Sequence, residues 1–562
     1  MLIRLFAGLS VVLLLCACHS PAPSVVEPAV TLYHGGSILS LEGALRFDVM
    51  AVAEGRILDL GDEGLLKHYP DAAKVDLAGA TVLPGMIDSH VHVRELGENL
   101  IKADLRGTTT VDAMIAILKQ RYPKPEPGVW LIGHGWDEGV WASQGYPDRA
   151  ALDAAYPENP VALSSLHGFA AFYNASALAV AGIDAATPNP EGGTILRRDD
   201  QSATGVLLTN ARYLVNQHIP ALDPAATRAA ILTGLNTLAA AGVTAVHEAG
   251  MDGEQLAAFR ELAASGKLPI RVYGMLNGND RPLMEQWFAQ GPLLDSSDFF
   301  TVRSIKVFYD GSLGSRTALL AKPYHDHPDK AHPTERIAPE AVTWLAENAA
   351  EKGFQMAVHA IGDEANRRVL DIYEAALKDT PDHRWRIEHA QVVLPDYYTR
   401  AAKLGVISSM QPSHAVGDSG WAEARLGPDR IREAYAWRKI LAAGGRLALN
   451  SDLPGEPWQP MQTLYFAVTR RKLNGEPPAG WYPDQALSVM ESLHGMTAAG
   501  AHAAFQEARL GTLAKGKHAD FIALDRDPTR VPAEELASIR VLKVWVGGRL
   551  VTQVAGGGSA TM

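Results

Sequence analysis

One pattern recurs through the middle of the 562-residue chain: helix-spaced apolar positions, a glycine, a short apolar run, then a polar side chain. It reads LNTLAAAGVTAVHEAG, turning at Gly242 and reaching His247, and WLAENAAEKGFQMAVHAIGD, turning at Gly353 and ending at His359. It returns in AAKLGVISSMQPSH, which turns at Gly405 and meets Gln411 and His414, and in ILAAGGRLALNSDLP, which turns at Gly444 and Gly445 and ends at Asp452. Glycine is the favoured residue just past a helix C-terminus. Strands apolar on both faces belong in a parallel sheet covered by helices. The pattern predicts eight strands, at 82–92, 243–249, 269–276, 302–310, 355–361, 384–390, 405–411 and 446–452.

Helices and strands in alternation, with polar residues where the strands end, predict an α/β fold of the TIM (β/α)8 barrel type, at residues 84–505. The rival is an open doubly wound sheet, but no GxGxxG phosphate loop opens a helix here. The interval between the first two strands is too long for one helix, so residues from about 121 to 225 are read as an insertion. Its segment GVWLIGHGWDEGVW carries Trp130, Trp136 and Trp141, which either line an active-site mouth or fill the core of the insert. Residues 30–83 and 506–552 carry short alternating runs broken by glycine, such as TLYHGGSILS and VLKVWVGGRLV. These are expected to join as one small β-sandwich built from both ends of the chain. Residues 553–562 are expected to form a disordered tail.

Composition narrows the function. Hydrophobic residues at 47% and charged residues at 20% describe a globular chain with a full core. A net charge of -12 excludes a nucleic-acid partner held through phosphates. The first residues stand apart from the fold: a positive start at Met1–Arg4, then an apolar run, Leu5–Leu15, too short to span a bilayer as a stable helix. LCAC follows, with Ala17 just before Cys18. Residues 1–18 therefore resemble a bacterial lipoprotein signal peptide with Cys18 lipidated, and 19–29 a tether; an ordinary cleaved signal is the alternative. Several acyl chains would hold the protein at the cell envelope, membrane contact being through this N-terminal lipid anchor only. His19 stands where inner-membrane retention often has Asp, so the periplasmic side of the outer membrane is preferred. Cys16 leaves with the signal, so no internal disulfide forms.

The candidate chemistry lies at the strand ends. His90 and His92 alternate on the first strand and so share a face. Lys306 interrupts the fourth strand, His359 ends the fifth, His389 the sixth and Asp452 the eighth. Imidazole and carboxylate are the natural ligands of Zn²⁺ and similar ions. Each residue alone has an ordinary structural explanation, a buried histidine in a satisfied core above all. All of them together, at one barrel mouth with no cation, would leave costly buried polar groups. Lys306 is either an ordinary lysine paired with Asp310 or Asp452, or a carbamate formed with CO₂ that bridges two metals.

The segments LPGMIDSHVH, IKVFYDGSLGSRTALL, VHAIGDEANR, RIEHAQ, NSDLP and GTLAKGKHADFIALD together resemble the amidohydrolase superfamily of metal-dependent hydrolases. They are most similar to its branch of YtcJ-like proteins and N-substituted formamide deformylases. The resemblance implies one divalent metal, zinc by preference, on His90, His92 and Asp452, and a second on His359 and His389. A carboxylated Lys306 would bridge them; some members hold a single ion. The implied reaction on a small-molecule substrate is hydrolysis of an amide-type C–N bond by metal-activated water, with Asp452 as catalytic base. Asp88 and Asp363 are candidates for fixing imidazole tautomers. Arg316 either meets a substrate carboxylate or braces its loop on Asp310. Phe169 stands where relatives of this branch often carry His. An ester, lactone or deaminase substrate on the same site, and a lipid-anchored binding protein without turnover, are the alternatives. A serine hydrolase is disfavoured because no GxSxG elbow occurs. The oligomeric state stays open.

Overall fold

The computed structural model describes residues 29–553 except 44, 137–140, 142–144, 166–169, 191–192, 330–333, 379 and 381. Cys18, the signal, the tether up to residue 28, Phe169 and the tail beyond 553 lie outside the described residues.

Eight parallel strands form one sheet in chain order: Met86–Val91, Val243–Met251, Arg271–Asn277, Phe300–Phe308, Gln355–Ala360, Arg386–His389, Ile407–Met410 and Arg446–Leu449. Each falls on one of the eight apolar runs. Glycine ends the helices before the fifth and seventh strands, Gly353 and Gly405 both taking left-handed backbone. The last strand closes onto the first through the loop that follows it. Asp452 N–H donates to His90 O at 3.0 Å, and His92 N–H donates to Leu453 O at 3.2 Å. The backbone that closes the TIM barrel is thus the backbone of three candidate ligands, which fixes their side chains next to one another.

A second sheet of six strands lies between the first two barrel strands in sequence. It spans Ala103–Asp104 to Ala203–Thr209, reaching further toward the N-terminus than the interval 121–225, because Ala103 and Asp104 pair in parallel with Gly133 and His134. The chain leaves the barrel through helix Val93–Ile101 and returns through helix Pro224–Ala240. These two cross closely: a Cβ on Gly97 would stand 1.8 Å from Ala230 O, so only glycine admits the contact.

The sandwich is built from both ends. Strand Thr81–Pro84 pairs with Phe521–Leu524, joining N-terminal to C-terminal segments in one six-stranded sheet. A four-stranded sheet packs against it through Tyr33, whose ring meets Phe521 at 4.9 Å and Trp545 at 5.6 Å. The sandwich meets the barrel at the N-terminal ends of the strands. There Asp520 accepts from Arg271 at 2.6 and 3.0 Å and from Gly547 N–H at 2.7 Å. The opposite end, where the polar residues emerge, is left for chemistry.

Candidate metal centre

The six predicted ligands converge at the C-terminal end of the barrel, and five of them are linked by short contacts around Asp452 and His90. Asp452 Oδ1 lies 3.4 Å from His90 Nε2 and 3.3 Å from His92 Nε2. Its other oxygen lies 3.9 Å from His389 Nδ1 and 3.8 Å from His414 Nε2. Lys306 Nζ stands 3.0 Å from His90 Nε2. His359 joins through its ring, 4.5 Å from that of His389. Two donor groups therefore share one carboxylate: His90, His92 and Asp452, and His389, His414 and Asp452. His389 and Asp452 take left-handed backbone, with φ of 75° and 52°. Such backbone is held at a cost of about 1–3 kcal/mol where function fixes the side chain.

Each imidazole of the buried group is oriented from behind. His90 Nδ1 faces Glu388 Oε2 at 2.6 Å. A carboxylate only accepts, so Nδ1 carries the proton and Nε2 presents a lone pair to Lys306 and Asp452. His389 Nδ1 faces Gln411 Oε1 at 2.9 Å, and Gln411 is locked by donating to Asn450 Oδ1 at 2.7 Å. His359 donates from Nε2 to Gly311 O at 3.0 Å, which leaves its Nδ1 buried without a hydrogen-bond partner among the described residues. Unpaired buried lone pairs are costly. A neutral imidazole aiming its free lone pair beside a carboxylate, as His90 does toward Asp452, fits a divalent cation.

The electrostatics agree. Burial, reinforced by Lys306, holds His90 down at about 4 and His359 at about 3, both neutral at physiological pH. Burial and then His359 hold His389 well below the usual range. Burial works to raise the Asp452 carboxyl, but its surroundings, a hydrogen bond from His92 among them, hold it well below the usual carboxylate range. Lys306 is fully buried and drawn down to about 8, burial opposing the attraction of Glu388 and Asp452.

Other residues singled out from sequence sit elsewhere. Trp136 is not at the mouth. It is fully buried in the insert's core, and its indole N–H donates to Leu163 O at 2.8 Å. Arg316 braces its loop, but on Asp326 at 2.6 Å rather than on Asp310. Asp310 instead accepts the backbone N–H groups of Leu319, Ile361 and Gly362 at 2.9–3.0 Å. Among the described residues, no hydrogen bond links Asp88 or Asp363 to an imidazole. Asp88 accepts from Ser451 N–H and Oγ at 3.0 and 2.6 Å, and Asp363 from Ala321 N–H at 2.7 Å. Asp88 thereby ties the first strand to the loop carrying Asp452. The groups that do orient histidines are Glu388 and Gln411, and the residue added to the mouth is His414. For Glu388 a signal existed: RIEH places Arg386 and Glu388 on one face of a strand otherwise expected to be apolar.

Residues 73–552 match the amidohydrolase family, and the chain belongs to it. It is 31% identical over 529 residues to the protein YtcJ of Bacillus subtilis (strain 168), covering 92% of this chain and 99% of that protein. It is 29% identical over 519 residues to the N-substituted formamide deformylase of Arthrobacter pascens, covering 89% and 94% of the two chains. The crystal structure of an uncharacterized metal-dependent hydrolase from Pyrococcus horikoshii superposes with a TM-score of 0.76 at 28% identity, over 90% of this chain and 99% of that one. The protein is thus a hydrolase of the metal-dependent amidohydrolase family, and its histidine and aspartate set implies a divalent metal.

Proposed function

We propose that the protein hydrolyses an amide-type C–N bond, in an N-formyl amine, N-acyl amine or related small molecule. The carrying observation is the shared carboxylate of Asp452, whose two oxygens lie 3.3–3.9 Å from His90, His92, His389 and His414. Similarity to an N-substituted formamide deformylase supports the choice of bond.

His90, His92 and Asp452 would hold a divalent ion, zinc by preference, and such an ion would supply Lewis acidity toward the scissile carbonyl and the attacking water. Asp452 does the proton work. Its Oδ1 is shared between His90 and His92, so Oδ2, facing His389 and His414 at 3.9 and 3.8 Å, is the freer oxygen. Oδ2 takes a proton from the water as the water's oxygen attacks the carbonyl carbon. It returns that proton to the nitrogen as the C–N bond breaks, so an amine leaves and a carboxylic acid remains. Glu388, Gln411 and Gly311 hold the imidazoles in one tautomer throughout. In the same reading His359 and His389 would hold a second ion, and Lys306, as a carbamate, would supply an anionic ligand between the two. The buried position of the amine, 3.0 Å from His90 Nε2, supports it.

A panel of N-formyl amines, N-acyl amino acids, lactones and aminated rings tests the bond class. Hydrolysis of the first two alone is the expected outcome. Turnover of the lactones or rings alone assigns a different bond, and no turnover by metal-replete protein sinks the enzymatic reading. Metal content with and without Lys306→Ala and added bicarbonate tests the carbamate, which requires loss of at least one ion on substitution. We also read the chain as anchored at the bacterial cell envelope through lipidated Cys18, on the signal-like sequence alone. Release of a Cys18→Ser protein from the membrane fraction is the expected result.

A further inference from the structure

Beneath His90 lies a buried ion pair that touches neither the attacking water nor the scissile bond in the steps above. Arg386 and Glu388 are alternate residues of the sixth barrel strand and point to one face, into the barrel. Neither side chain is accessible to solvent. The guanidinium donates to Glu388 Oε2 at 2.9 Å, to Ser89 O at 2.6 Å, to Ser409 Oγ at 2.8 Å and to His247 Nδ1 at 2.9 Å. Nε and Oε1 also approach to 2.7 Å, at an angle too bent for a hydrogen bond, so that contact is ionic only. Those partners belong to the first, second, sixth and seventh strands, so Arg386 is gripped from half of the barrel. Glu388 passes the grip on, its Oε2 meeting His90 Nδ1 at 2.6 Å.

Such a pair is a poor device for stability alone. Desolvating two buried charges commonly offsets their attraction, and apolar side chains of similar volume would fill the space as well. What apolar side chains could not do is hold one ring in one tautomer. Guanidinium offers only donors, so it can face only the acceptor oxygens of Glu388. Glu388 then accepts from Nδ1–H of His90, and the Nε2 lone pair is aimed at Lys306 Nζ and Asp452.

We propose that Arg386 and Glu388 form a clamp that sets the metal affinity of the His90 position, Glu388 acting as a positioning residue through His90. The inference rests on His90 being a metal ligand, and it deepens that reading by naming what tunes the ligand. A carboxylate behind a ligating imidazole fixes its orientation and strengthens it as a donor.

The test is Glu388→Gln in the full chain, with zinc affinity measured by chelator competition and the melting temperature of the metal-free protein recorded beside it. Gln can still accept at His90 but brings no charge, so Kd for zinc is expected to rise about 10- to 100-fold in a protein that still folds. Glu388→Asp, which keeps the charge and shortens the reach, is expected to fall between the two and serves if the Gln variant does not fold. A folded variant whose Kd stays within about twofold of the wild type overturns the clamp. The wild type alone gives a second readout: ¹⁵N-histidine NMR of the metal-free protein is expected to show the His90 proton on Nδ1, and a proton on Nε2 overturns the proposal. Neither readout depends on turnover. Failure of the substrate panel leaves the clamp standing, and zinc bound tightly at His90 but indifferent to Glu388 sinks the clamp alone.

Discussion

At the N-terminal end of the barrel strands, Arg271 and Asp520 meet at 2.6 Å, and Gly547 N–H completes the carboxylate's partners. At the C-terminal end, about one strand length away, Asp452 approaches four imidazoles at 3.3–3.9 Å, and His359 Nδ1 finds no partner among the described residues. Both ends bury acids against bases. At the first every donor finds an acceptor at hydrogen-bond distance, and the result is a joint between barrel and sandwich. At the second the lone pairs outnumber the donors, which is a poor way to hold a fold together and a good way to bind a cation. The residue types are alike, and the closure of their hydrogen bonds separates a structural role from a chemical one.

That contrast can be broken at either end. The largest effect is expected at Asp452. Replacing it with Asn should lower kcat by about 10²- to 10⁴-fold, the usual contribution of a proton-transferring side chain, while the protein stays folded. Near-normal turnover with metal bound would remove Asp452 as the base. Asp520→Ala should do the opposite, leaving kcat per folded molecule unchanged and costing about 3–5 kcal/mol, because Arg271 is stranded as a buried charge. Denaturant unfolding measures it, and a loss under about 1 kcal/mol would mean that water reaches the joint.

Asp298 offers a pH-dependent version of the same comparison. Burial works to raise its carboxyl, but hydrogen bonds from His518 and Arg509 outweigh it and hold the group well below the usual carboxylate range. A depressed pKa in the folded state contributes stability that is complete above the unfolded pKa, at about 4, and is lost as pH falls below it. Asp298→Asn should therefore destabilise the protein at pH 7 by about 2 kcal/mol. The gap from wild type should shrink steadily as melting is repeated at lower pH. A gap that is constant with pH would show that the charge contributes nothing. The smallest effect is expected at Arg316, half-exposed on Asp326: Arg316→Ala should cost at most about 1 kcal/mol. A tenfold fall in kcat/KM in that variant would instead place Arg316 against substrate.

The barrel was legible because it is written in local rules. Helix period, a glycine turn and a doubly apolar strand each occupy consecutive residues, and all eight predicted strands occur. The ligands were legible because strand ends are where a barrel collects chemistry. Partner choice was less so. Arg316 selects Asp326 over Asp310 because three backbone N–H groups already occupy Asp310. Trp136 fills a core because its sheet has an apolar cluster on that side, and the sequence alone left mouth and core equally open. Glu388 meets His90 across 298 residues of chain, a contact that exists only once the barrel closes. His414 reaches Asp452 by a short helix after the seventh strand, off the strand-end register that singled out the other histidines.

The central claim is that the open end of the barrel works through a divalent cation. Its most direct test is turnover of an N-formyl amine by the full chain, measured before chelation, after chelation and after zinc is restored, with bound metal counted at each stage. Activity that disappears with the metal and returns with one or two ions per chain is the predicted result. Undiminished hydrolysis by metal-stripped protein would contradict it.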